Sequence, residues 1–161
     1  MISQGQKIPS VTIKQATPEG GADVDPSVLF AGKKVVMFSL PGAFTPTCSA
    51  KHLPGYVAKL DELKTQGVDI VACLSVNDAW VMKAWAEQHG AMGKIVMLAD
   101  GSSRFTKALG IELDLEKSNM GPRCQRGVIV FENGTVKSIE MEAPGKFEVS
   151  SAEACLLDLK K

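Results

Sequence analysis

Unbroken apolar runs alternate along this chain with segments whose apolar residues recur at helical spacing. Lys34-Val35-Val36-Met37-Phe38-Ser39-Leu40 and Val68–Ser75 carry continuous apolar stretches, the pattern of strands buried on both faces. Between them lies a helical stretch from about Ser49 to Gln66, closed by Gly67. Strand, helix and strand in that order predict a βαβ unit with parallel strands and a right-handed crossover. Pro54-Gly55 interrupts the helical stretch and predicts a kink or break there. Asn77-Asp78 caps a further helix that runs to about His89 and stops at Gly90, with Trp80, Val81, Ala84 and Trp85 as its apolar face. Ile95–Leu98 reads as another buried strand, and Ser102/Ser103 opens a shorter helix ending near Gly110.

Downstream the pattern changes. Glu112 to Pro122 reads as a loop. Gln125–Phe131 and Val136–Glu142 are strands joined at Asn133-Gly134, a strong hairpin signal. Ser150 with Glu153 forms a capping box that opens a C-terminal helix. At the other end, Val11–Gln15 reads as a strand and Thr17–Asp25 as a loop. The order βαβα(βα)ββα predicts an α/β, thioredoxin-like sandwich, a central mixed sheet flanked by helices, with residues 1–161 as a single domain.

Composition narrows the partners. At 161 residues the chain can bury a core without disulfide or metal staples. Its 18 basic and 18 acidic residues cancel, and no run of five or more like charges is present. That argues against nucleic acid or a membrane surface as an electrostatic partner. No apolar run approaches the roughly 20 residues of a membrane span. The start, Met1-Ile2-Ser3-Gln4-Gly5-Gln6-Lys7, lacks a signal-peptide apolar core and an Arg-rich transit pattern, so the expected location is cytoplasmic, or organellar if a presequence has been removed. Four cysteines (Cys48, Cys73, Cys124 and Cys155) show neither Cys-x-x-Cys nor zinc-ligand spacing, which predicts reduced thiols, no metal site and no cofactor.

One cysteine stands in a different setting. Pro41-Gly42-Ala43-Phe44-Thr45-Pro46-Thr47-Cys48 follows a buried strand and leads into a helix, which puts Cys48 in the first helical turn. Free backbone N–H groups and the positive end of the helix dipole favour a thiolate there, and the thiolate is the nucleophilic form.

The pattern Pro-x-x-x-Thr-x-x-Cys at Pro41, Thr45 and Cys48 resembles the active-site motif of the peroxiredoxins. With His52-Leu53-Pro54-Gly55, Cys73-Leu74-Ser75-Val76-Asn77-Asp78, Leu98-Ala99-Asp100-Gly101 and Phe147-Glu148-Val149-Ser150-Ser151-Ala152-Glu153, the chain is similar to the type II (peroxiredoxin 5-like) subfamily from about residue 3 to its C-terminus. The resemblance implies a thiol peroxidase that reduces hydrogen peroxide and alkyl hydroperoxides and serves redox homeostasis and antioxidant defence. Such chemistry needs a nucleophile ionised near neutral pH, against about 8.5 for a free cysteine. It needs donors that hold the peroxide and stabilise charge on the leaving oxygen, and a site that limits water.

By the same resemblance, Cys48 is the peroxidatic cysteine, Thr45 supplies a hydroxyl to the reacting atoms, and Pro41 shields the sulfur and shapes the turn. Arg126 matches the family arginine, whose guanidinium favours the thiolate and donates to peroxide; Arg123 is the competing arginine. The family usually has an aromatic residue directly after this arginine, whereas Gly127 stands here. Backbone N–H groups near Gly42 and Cys48 complete the donor set, and Phe44 lines the peroxide pocket. His52, four residues after Cys48, is read as structural or at the surface.

Attack converts Cys48 to a sulfenic acid that a second thiol must reduce. Cys73 matches subfamily members with a cysteine at that place and is the candidate resolving partner. The animal-type resolving position falls near Ser150. If Cys124 and Arg126 share one strand, they face the same way, which makes Cys124 a second candidate. Otherwise Cys48 acts alone and glutathione/glutaredoxin or thioredoxin regenerates it. The family also implies a homodimer built from loops near the active site. A thiol–disulfide oxidoreductase lacks its Cys-x-x-Cys here, and a redox sensor that uses Cys48 oxidation as a signal would not turn over.

Overall fold

The computed structural model describes residues 1–161. Its first hairpin joins β1 (Ile13–Thr17) to β2 (Gly20–Val24), followed by the short helix α1 (Pro26–Leu29). The two long apolar runs become β3 (Lys34–Ser39) and β4 (Ile70–Ser75), paired in parallel. A π-helical turn (Cys48–His52), α2 (Leu53–Ala58) and α3 (Leu60–Thr65) connect them. Then come α4 (Ala79–Gln88), β5 (Val96–Ala99), α5 (Arg104–Leu109), β6 (Glu112–Leu115) and β7 (Gly121–Cys124). The hairpin β8 (Gly127–Glu132) and β9 (Thr135–Met141) precedes the last helix, α6 (Ala152–Leu159).

Seven strands form one mixed sheet in the order β2-β1-β5-β4-β3-β8-β9, and β6 and β7 form a separate two-stranded sheet. The three central strands β3, β4 and β5 are parallel, and β1 and β8 flank them antiparallel. Strands buried on both faces need apolar side chains on both, which is why their sequences do not alternate. On one face Val36, Phe38 and Cys73 pack with Leu53, Tyr56, Trp85 and Leu156. On the other, Val35, Met37 and Leu74 pack with Phe30, Phe105 and Leu109. Cys48 belongs to the first of these cores.

Several expectations change. Thr17–Asp25 is the β1–β2 hairpin rather than a loop: β2 is an edge strand held by backbone pairing, and Gly20-Gly21-Ala22-Asp23 has no apolar pattern to announce it. Glu112–Pro122 likewise holds β6, a 3-10 turn (Glu116–Ser118) and the start of β7. The buried face of α4 is Ala79, Met82, Trp85 and Ala86, while Trp80 is 73% exposed. The cap of α6 is Ser151, whose side chain accepts from the Ala154 N–H, and not Ser150, whose hydroxyl is engaged elsewhere. Pro54 does not break its helix. Lacking an N–H, it sits in the first turn of α2, where no donor is required; the ladder widens just before it, and the break falls at Lys59 between α2 and α3. Gln125 lies outside β8.

Hairpin β1–β2 lies close against α4. A Cβ on Gly21 would come within 2.8 Å of the Ala79 Cβ, which is fixed to the helix backbone. Gly21→Ala should therefore lower stability by about 1–3 kcal/mol, the usual scale of overpacking. A urea midpoint equal to that of wild type would show that the strand and helix can separate freely.

Candidate active site

Strand β3 ends at Ser39, and the chain turns through Pro41–Thr47 at the carboxyl edge of the parallel strands. This loop is held from several directions. Thr45 Oγ1 donates to the Gly42 carbonyl at 2.7 Å. Asn77, just beyond β4, accepts the Ala43 N–H at 2.9 Å. Arg123 reaches across from β7, with Nη1 at 3.4 Å from both the Pro41 and Val76 carbonyls and Nε at 3.0 Å from the Met120 carbonyl. Gly42 makes room for that guanidinium: a Cβ there would lie 2.7 Å from Arg123 Nη1. Phe44 adopts φ 64°, a left-handed conformation uncommon for a non-glycine residue and frequent at functional sites.

The helix opens at Pro46, so Cys48 lies in its first turn as expected. From Cys48 the turn is π-helical, with the Leu53 N–H donating to the Cys48 carbonyl. Single π turns often mark functional sites. Ser49 ties the turn to α4 by accepting the Trp85 Nε1–H at 2.9 Å. The Cys48 side chain is fully buried.

Arg126 stands between β7 and β8, and its Nη2 donates to Cys48 Sγ at 3.0 Å. Of the two candidate arginines it is therefore the one that meets the sulfur, while Arg123 pins the loop. Gly127 follows it where an aromatic residue was expected. Met141, opposite in the β8–β9 ladder, fills that space: its Cε would stand 2.2 Å from a Cβ on Gly127.

His52 is not at the surface. It is fully buried, boxed by Phe38, Tyr56 and Phe147 with ring centroids 5.0, 5.7 and 5.1 Å away. Nδ1 lies 2.9 Å from Arg126 Nη1 and Nε2 lies 3.0 Å from the Ser150 carbonyl. That carbonyl also accepts the Tyr56 hydroxyl at 2.8 Å. Burial first, and the Arg126 charge second, push His52 down to about 3. Glu142 completes the surroundings. Its carboxylate accepts the N–H groups of Glu148, Val149 and Ser150 and the Ser150 hydroxyl, and its own N–H donates to the Arg126 carbonyl at 2.9 Å. Those hydrogen bonds outweigh partial burial and hold Glu142 below the usual carboxylate range. The sequence reading assigned neither His52 nor Glu142 to the site. The four-residue spacing of His52 from Cys48 was the one available sign.

A cavity of about 310 Å³ opens beside Arg126 and is lined by Pro41, Thr47, Leu113, Pro144, Lys146 and Phe147 among others. Phe44 and Gly42 do not line it. Phe44 is 50% exposed and leans toward Trp85, with centroids 6.5 Å apart, while Phe147 supplies the aromatic wall beneath Arg126. The wall's turn, Ala143–Lys146, has Pro144 and Gly145 (φ 76°) at its centre and closes with the Lys146 N–H on the Ala143 carbonyl.

All four cysteines are free and buried. Cys73 lies in the middle of the sheet on the Cys48 side, and burial pushes its thiol well above the usual range. Cys124 ends β7 and is not in one strand with Arg126. Its thiol donates to the Leu40 carbonyl at 3.1 Å, and burial pushes it up to about 12. Cys155, in α6, is likewise raised by burial, to about 11.

The Redoxin family model matches residues 3–156. The chain is 46% identical over 159 residues to the chloroplastic peroxiredoxin-2E of Arabidopsis thaliana, covering 96% of this chain and 68% of that one. To peroxiredoxin-2E-2 of Oryza sativa subsp. japonica, also chloroplastic, it is 45% identical over 160 residues, covering 96% and 71%. Among solved structures, reduced Prx3 of Vibrio vulnificus in complex with hydrogen peroxide superimposes with a TM-score of 0.94 at 53% identity, covering 99% of each chain. Peroxiredoxin 5 of Alvinella pompejana does so with 0.87 at 34%, covering 99% of each.

The neutral, buried His52 has a thermodynamic consequence. Above about pH 6.5 both folded and unfolded chains hold a neutral imidazole; between 6.5 and about 3 only the unfolded chain takes up the proton. Stability therefore falls as pH drops through that window, with a slope approaching about 1.4 kcal/mol per pH unit. The urea midpoint of wild type should fall faster between pH 6.5 and 5 than that of His52→Asn. Parallel curves would mean that His52 is not held neutral.

Proposed function

Since this chain belongs to the peroxiredoxins, in their type II (peroxiredoxin 5-like) branch, and is a thiol peroxidase, we propose that residues 1–161 act as one domain that reduces hydrogen peroxide and alkyl hydroperoxides at Cys48. The observation that carries this reading is the 3.0 Å contact between Arg126 Nη2 and Cys48 Sγ. A charge-assisted donor at that distance directs its positive charge at the sulfur and remains in place for the oxygen that sulfur attacks.

In the reaction the Cys48 thiolate forms a bond to one peroxide oxygen. The O–O bond breaks, and its electron pair leaves with the distal oxygen, which takes a proton and departs as water or an alcohol. Cys48 is oxidised to sulfenic acid. Arg126 and the Thr45 hydroxyl hold the peroxide in line, Pro41 and the buried setting of Cys48 limit water, and the cavity beside Arg126 admits the organic part of an alkyl hydroperoxide.

Two thiols of an external reductant, glutathione with glutaredoxin or thioredoxin, return the sulfenic acid to a thiol and leave as a disulfide with one water. Cys73 is the intramolecular alternative. Its burial within the sheet and its raised pKa disfavour the thiolate that such an attack needs, and a disulfide to Cys48 requires local unwinding of the Cys48 turn. We read the working unit as a homodimer that uses loops near the site. The reduced thiols of the cycle suit the cytoplasm as well as the organelles that the plant relatives' names carry.

Peroxide consumption should vanish in Cys48→Ser. It should fall about 10²–10³-fold in Arg126→Lys, the scale of losing one transition-state donor. Cys73→Ser should retain turnover with glutathione and glutaredoxin. Full activity in Cys48→Ser would end this reading, and loss of activity in Cys73→Ser with every reductant would place Cys73 on the cycle.

A further inference from the structure

The peroxide step as described leaves His52 without a part, yet its geometry is fully determined. Arg126 Nη1 can only donate, so His52 Nδ1 at 2.9 Å must be an acceptor without a proton. The Ser150 carbonyl can only accept, so Nε2 at 3.0 Å must carry the proton. One tautomer of the neutral ring satisfies both contacts, and an imidazolium satisfies only one.

We propose that His52 is a positioning residue for the peroxidase reaction: its bare Nδ1 holds Nη1 of Arg126 so that Nη2 faces Cys48 Sγ. This inference rests on the roles of Cys48 and Arg126 proposed above. The planar guanidinium fork converts a hold on one nitrogen into an orientation of the other. No carboxylate forms a salt bridge with Arg126. A carboxylate in the place of His52 would orient the guanidinium equally well and cancel much of its charge. A neutral imidazole orients without cancelling, so the positive charge stays directed at the sulfur.

The hold extends backwards. The Ser150 carbonyl that fixes the His52 tautomer belongs to a residue whose N–H and hydroxyl are both bound by Glu142, at 2.9 and 2.6 Å. Glu142 in turn donates its N–H to the Arg126 carbonyl at 2.9 Å. Arg126 is thus fixed at its backbone and at its side chain by one connected set of bonds.

Two substitutions separate positioning from plain structural support. The Asn side-chain oxygen stands near the place of Nδ1 and keeps an acceptor for Arg126; the Gln side-chain nitrogen stands near the place of Nε2 and keeps the donor to Ser150. We would measure kcat/KM for hydrogen peroxide, and the melting temperature, in wild type, His52→Asn, His52→Gln and Cys48→Ser. Positioning predicts that His52→Gln loses about 100-fold, the scale of misplacing a reacting group by roughly 1 Å. It predicts that His52→Asn keeps at least ten times the activity of His52→Gln whichever variant melts higher. His52→Gln equal to wild type, or activities that simply follow melting temperature, would overturn the inference. Should both variants fail to fold, nitrogen NMR of the wild-type His52 ring decides: an Nε2–H tautomer supports the proposal and an Nδ1–H tautomer overturns it. Undiminished turnover in Cys48→Ser would instead show that the peroxidase reading itself has failed.

Discussion

Bringing an arginine to a buried sulfur is the demand around which much of this molecule is arranged. The two residues are 78 positions apart in sequence, and their side chains meet at 3.0 Å. A guanidinium on a flexible stem loses considerable rotamer freedom when ordered, so a contact of this kind forms only where other bonds already fix both ends. Here the sulfur end is fixed by a strand, a pinned loop and a π turn. The arginine end is fixed by the junction of two sheets, by His52 and by the loop that Glu142 gathers. Remove the contact and the site's remaining features have no common purpose.

How much of this the chain announced depends on how local each feature is. Strands β3 and β4, the Asn133-Gly134 hairpin and the placement of Cys48 at a helix start are written in contiguous residues, and each was legible. Pro41, Thr45 and Cys48 are close neighbours, so their motif was legible too. Strands β2, β6 and β7 were not, because edge and two-stranded pairings run through the backbone and demand little of side chains. Trp80 misled for a related reason: helical spacing places it within a turn of other apolar residues, but only three-dimensional packing decides that Ala79 and Met82 face the sheet and Trp80 faces out. His52 offered only its four-residue spacing from Cys48, and Glu142 offered nothing. Their partners lie 74 and 8 residues away in hydrogen-bond networks that no periodicity encodes.

Gly127 shows how a departure from a family pattern can be absorbed. Where the resemblance leads one to expect an aromatic ring, the facing strand fills the space with Met141, a flexible side chain suited to irregular gaps. Beside this pair the Arg126 carbonyl accepts the Glu142 N–H at 2.9 Å, and the guanidinium reaches the sulfur. Position 127 and position 141 are thus one packing decision distributed over two strands.

Cys48 and His52 do not sit in a cleft lined by surface loops alone. Cys48 belongs to the larger hydrophobic core, and His52 is walled by Phe38 of the central sheet and Tyr56 of α2, themselves stacked at 4.1 Å. The same two rings therefore serve two ends at once, a well-packed interior and a correctly aimed imidazole. A change of volume at either position reaches the imidazole as well as the packing. The exposed side of α4 is different: a change of side chain there reaches neither the packing nor the sulfur.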